Sequence, residues 1–157
     1  MIDSKYKGQF GQEVEALDKA KVEALLTGEI ETHTHPENSQ VWVVAFSDES
    51  TVITVGNNKV EFQMPNYPTT LMGVSCSLKT APSESTMQID LNEGDTSVLS
   101  TKLTIDATEK TSETAAIPTV ISDANLAANA VMTLDVDTAD TGGTSAGGKL
   151  MIYWKKA

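Results

Sequence analysis

The sequence predicts a mainly β protein in which an N-terminal helix, forming a trimeric coiled-coil stalk, precedes a jelly-roll-like β-sandwich. Two observations predict the sandwich. From Val41 onward, short runs of β-branched and aliphatic residues alternate with polar ones, and Gly, Pro, Asn and Asp break them. The spacing gives about eight or nine short strands at roughly ten-residue intervals, the pattern of a sandwich. A third observation predicts the stalk. The stretch EVEALDKAKVEALLTGE is made of strong helix formers without proline, and Gly28 closes it as a C′ glycine.

Residues 1–12 are polar, carry Gly8 and Gly11, and show no period. They read as a flexible arm or an anchoring peptide. Residues 13–28 follow as the helix, with Val14, Leu17, Lys21, Ala24 and Leu25 along one face and Val22 and Leu26 outside that stripe. Such a thin, interrupted apolar seam is marginal for a lone helix in water, so packing against copies of itself is expected, with docking on its own domain as the alternative. Residues 29–40 form a neck, and residues 41–157 the β-domain.

Within that domain the run VWVVAF is of buried type, and STVITV follows it as a second strand. GNN (Gly56 to Asn58) is expected to turn the chain into KVEFQM, where Val60, Phe62 and Met64 alternate with polar partners. MPNYP, with two prolines, ends that ladder. LMGVSCSLK and TMQIDL are the next strands, then the turn NEGD and the strand-pair candidate SVLSTKLTI. A polar loop, DATEKTSETAA, leads to IPTVI. SDANLAAN reads as one helical turn capped by Ser122 or Asp123. VMTLDVD, the loop TADTGGTSAGG, and KLMIYWK with Leu150, Ile152 and Trp154 on one face complete the domain.

Composition excludes several functions. With 22 acidic against 11 basic residues and a formal charge of −11, the chain has no basic patch of the kind that nucleic-acid binding needs. No run of about 18 apolar residues is present to span a bilayer, and MIDSKYKGQFGQ lacks an apolar stretch of signal-peptide type. Use without export through the general secretory route or membrane insertion is therefore expected. Hydrophobic residues make up 39%, below the usual share of about 45–50%, so part of the chain is expected to be solvated or to depend on other subunits for burial. The single cysteine, Cys76, alternates with Val74 and Leu78 and reads as a small buried residue on a strand. Trp42 and Trp154 read as core or interface residues.

No catalytic constellation emerges. Both histidines precede the β-domain, which excludes a Ser-His-Asp or Cys-His arrangement built from that domain alone. Asp135 and Asp137 are two apart, but Leu134 and Val136 alternate with them, so a half-buried strand with its acids in water accounts for the pattern. DLNEGD (Asp90 to Asp95) has the alternating oxygen donors of a calcium loop without a closing glutamate, and reads as a hairpin turn. The glycine pairs at 142–143 and 147–148 have no following helix and form no phosphate cradle. The expectation is a protein that is not an enzyme.

The remaining oddity is GEIETHTHP. His33 and His35, two apart in an extended segment, point to the same side. Two imidazoles make a poor metal site, but three chains around a threefold axis would supply six, suiting an octahedral ion such as Fe(II), Ni(II) or Co(II). Pro36 keeps the exit extended.

The stretch LLTGEIETHTHP resembles the neck of phage fibre proteins. FQMP (Phe62 to Pro65), LSTKLTIDATEKTS (Leu99 to Ser112) and AVMTLDVD before a Gly-rich loop resemble a β-domain that recurs in phage virion proteins. This resemblance covers about residues 25–36 and 60–157. It implies a homotrimeric virion fibre in which His33 and His35 of three chains hold a metal on the axis, usually iron (Fe). It also implies attachment to a capsid or tail protein through the N-terminal arm. The short chain favours a head fibre over a long tail appendage. A tail-tip receptor-binding fibre and a polysaccharide-degrading spike are the alternatives, the latter calling for Asp135, Asp137 or Asp90 paired across a groove. Adhesion to a host-surface glycan or receptor is left open, because no aromatic platform singles out a sugar site.

Overall fold

Eleven strands run through residues 39–157, the part of the chain that this computed structural model describes. The arm, the stalk helix, most of the neck, and with them His33 and His35 lie outside the described residues. In chain order the first strands are β1 (Gln40–Ala45), β2 (Gly56–Gln63), β3 (Thr69–Ser77) and β4 (Met87–Glu93). Three short ones follow, β5 (Thr96–Ser97), β6 (Leu99–Thr101) and β7 (Leu103–Ile105). A 3-10 turn at Ser112–Thr114 then precedes β8 (Val120–Ile121) and β9 (Asn125–Leu126). The long strands β10 (Val131–Thr138) and β11 (Lys149–Lys156) come last.

All ladders are antiparallel. One sheet has the order β1-β11-β3-β9, the other β2-β10-β4-β5, with β7 also pairing on β4; β6 and β8 form a separate pair. β5 and β7 share one edge of β4, at its two ends. Taken with β7, the two orders β1-β11-β3-β9 and β2-β10-β4-β7 are those of an eight-stranded double-sheet jelly roll. The last two long strands sit beside the first two, β11 beside β1 and β10 beside β2.

Period-two alternation builds the core. Met87, Ile89 and Leu91 of β4 are fully buried, as are Met132, Leu134 and Val136 of β10 and Leu150 and Ile152 of β11. With Trp154, Leu71 and Cys76 they form one cluster shared by both sheets. Each such aliphatic side chain contributes about 1.5–3 kcal/mol on leaving water. Trp42 meets Trp154 edge to face, ring centroids 5.2 Å apart, so both tryptophans serve the core as expected. Burial alone pushes the Cys76 thiol well above its usual range, which removes thiolate reactivity.

Three sequence expectations are corrected. STVITV is not a strand: only Ile53 reaches the core, its amide donating to Ser145 O at 2.9 Å, while Val52 and Val55 stay exposed. Asp48 turns the chain just before it, accepting from the amides of Ser50 and Thr51. GNN is not a turn but the start of β2. Its positive-φ tendency is used in a bulge instead: Asn58 has φ 51°, and the ladder to β10 slips between Leu134 and Val136. SDANLAAN forms no helix. Asp123 caps Asn125 N in a tight turn, and Leu126 is drawn into the core as β9 pairs with β3. The strand-pair candidate SVLSTKLTI is real but broken into β5, β6 and β7.

Candidate functional site

The outer face of the five-stranded sheet carries a row of ionised and amide side chains. β4 points Met87, Ile89 and Leu91 into the core, so alternation turns Asp90 and Asn92 outward. The ladder sets Asp90 opposite Asp135 of β10. Asp137 lies one alternation further along β10, where the register slips between Val136 and Thr138. Lys102, between β6 and β7, reaches across this row. Its Nζ lies 3.0 Å from Asp90 Oδ2 and 2.5 Å from Asp137 Oδ2.

Every carboxylate in the row is supplied with donors. Asp90, buried, accepts from Ser97 Oγ at 2.6 Å and from the amide of Leu91 at 2.9 Å. Asp135 accepts from the Asn58 amide at 2.7 Å, inside the β2 bulge, and from Asn92 Nδ2 at 3.1 Å. Asp137 and then Asp90 hold the Lys102 ammonium above its usual pKa, their hydrogen bonds and charges outweighing partial desolvation. The half-buried strand is as expected, but its acids are not simply in water: Lys102 joins Asp137 to Asp90, and the β2 bulge supplies a donor to Asp135. An open depression of about 540 Å³ adjoins Asp137, lined by Val55, Thr86, Gln88, Thr138 and Ala139 among others.

The chemistry of this arrangement is that of a brace. General-acid catalysis needs a carboxyl kept protonated near neutral pH, usually by apolar burial or an unshared like charge. Here the neighbours of Asp90, Asp135 and Asp137 are hydrogen-bond donors and the Lys102 ammonium. DLNEGD is a hairpin turn, as expected, with Gly94 at φ 59° and β4 paired to β5. Among the described residues no group of three or more His, Cys, Asp or Glu side chains is placed to hold a metal. No helix among them is long and apolar enough to cross a membrane.

A second polar centre was not anticipated from the sequence. Asp140, buried at the start of the loop before β11, accepts from the amides of Glu84, Ser85, Gly142 and Thr144 and from Thr144 Oγ1, at 2.9–3.3 Å. Burial raises its pKa, but backbone donors from Thr144, Glu84 and Ser83 overcome this and hold the carboxyl well below the ordinary range. It pins two loops together. A Cβ on Gly142 would stand 1.9 Å from Ser83 Oγ, so a larger residue there would turn that hydroxyl aside. The Asp-x-Gly-Gly-Thr order was a legible sign of a side chain capping its own turn; the partner amides of Glu84 and Ser85, over 50 residues away, were not.

In comparisons with known proteins, no family model, no curated protein and no solved structure matches the chain.

Proposed function

We propose that this chain is a structural virion protein of a tailed phage, a short homotrimeric fibre whose β-domain forms the distal lobe. The observation that carries this reading is the order of parts. Helix-forming residues 13–28 lead into the two-histidine neck, and β1 starts four residues after Pro36. The closely knit two-sheet domain and a polar row whose carboxylates are all donor-satisfied support a structural lobe. In this reading residues 1–12 attach to a capsid or tail protein, and His33 and His35 of three chains bind one axial transition metal, iron by resemblance. Attachment to the capsid as a head fibre is preferred.

One observation favours a second reading, a polysaccharide-degrading spike: Asp90 and Asp135 do pair across strands. The donors already bonded to both carboxylates count against it.

Mass determination of the full chain at micromolar concentration, with elemental analysis of the same sample, tests the fibre reading. A trimer with one transition-metal ion per three chains is expected. A monomer sinks the stalk and the metal together, whereas a metal-free trimer sinks the histidine assignment alone.

A further inference from the structure

We propose that the outer face of the β1-β11-β3 sheet, centred on Val41, Val43, Met72, Met151 and Tyr153, is where β-domains of this chain meet, the occupant being a second copy. This rests on the homotrimer reading above and names the surface it uses.

The ladder places Val41 opposite Tyr153 and Val43 opposite Met151. On the next strand Gly73 lies opposite Tyr153, whose ring approaches to 3.5 Å of the position a Cβ on Gly73 would occupy. Cross-strand neighbours of this kind touch, so the residues form one continuous patch. Four of its five residues are well exposed, Val43 at 62%, Val41 at 52%, Met72 at 49% and Tyr153 at 38%, and Met151 is half-buried. None of the five is charged, in a chain whose formal charge is −11, and Lys149 and Lys155 flank them on the same face of β11.

β1 carries the argument further. Its six residues, QVWVVA, turn Trp42 and Val44 toward the core and Val41 and Val43 away from it. A strand apolar on both faces is the composition of one covered on both faces. Edge strands left in water are usually protected by Lys, Pro, a bulge or an inward charge. β1 is a terminal strand of its sheet, contains no charge or proline, and pairs with β11 in unbroken register. The face is built to be covered.

Chain length argues for a second copy as the cover. Five residues lead from His35 to Gln40, a reach of at most about 18 Å. A domain of this size has a radius of gyration of about 13 Å. In the trimer reading, three β1 strands therefore start within one such reach of a common axis, at separations comparable to the domain's own size.

The test uses the full chain with Val43→Cys, and Val55→Cys as the reference, since Val55 is 59% exposed and outside this patch. Cys76 is fully buried and stays silent to a maleimide. Expected is a trimer in which the thiol at position 43 reacts at least tenfold more slowly than that at position 55. Val43→Glu should raise the concentration at which the trimer dissociates at least tenfold with an unchanged circular dichroism spectrum. Equal labelling rates in a chain that sediments as a trimer overturn the patch and leave the fibre reading standing. A monomeric wild-type chain overturns both; a thiol protected in that monomer identifies residues 1–38 of the same chain as the cover.

Discussion

Asp140 shows how much one side chain can organise. It accepts from four backbone amides, those of Glu84, Ser85, Gly142 and Thr144, and so fastens the loop before β11 to the loop before β4. Asp48 does the same on a smaller scale, where hydrogen bonds from Thr51 and Ser50 lower its carboxyl to about 2. Both pKa values are depressed on folding, so their stabilisation is complete above the ordinary aspartate pKa of about 4 and is lost as pH falls through the folded values. Thermal melts between pH 7 and pH 2 should therefore show a falling midpoint in acid. Asp140→Asn should lower the midpoint at pH 7 and flatten its acid dependence. An unchanged midpoint and slope would show that the amides find other partners.

Among elements, the lesson of the outer polar row is that a bulge can be functional structure. The extra residues of β2 bring the Asn58 amide to Asp135, and Lys102 ties Asp90 to Asp137 across β4 and β10. Lys102→Met removes the cation and leaves Asp90, buried, and Asp137 without it. The side chain of Lys102 is 41% exposed, so solvent screening reduces the loss to about 1 kcal/mol, readable as a shift in the urea midpoint that shrinks in high salt. The Lys102 pKa is raised on folding, so its contribution is full below the usual lysine value of about 10.4 and is lost only as pH rises through the higher folded value. Between pH 6 and 9 the difference between wild type and variant should stay constant.

Elements differed in how legible they were. KLMIYWK, VMTLDVD, TMQIDL and KVEFQM became strands because their alternation was backed by a partner on each side or by the core. STVITV is as rich in β-branched residues, yet no ladder forms along it: Ile53 makes a single backbone bond, to Ser145, and buries its side chain alone. In SDANLAAN a tight turn capped by Asp123 served a strand, since pairing with β3 buries Leu126 and a lone helical turn would not.

For the whole molecule, the histidine neck makes the strongest claim. If three chains share one ion through His33 and His35, the double variant His33→Ala, His35→Ala should melt several degrees lower than wild type and be indifferent to a chelator that lowers the wild-type midpoint. Identical melts with and without chelator would remove the structural ion. Composition and periodicity alone determined that residues 41–157 are β, that Cys76 is inert, and that Leu150, Ile152 and Trp154 face the core, because local alternation is enough to assign a face. Only the tertiary structure decided that β1 closes against β11 and β2 against β10, that Lys102 meets two aspartates, and that Asp140 binds a distant loop. These depend on contacts between residues far apart in the chain, and neither spacing nor composition encodes which distant partner a strand edge or a carboxylate will meet.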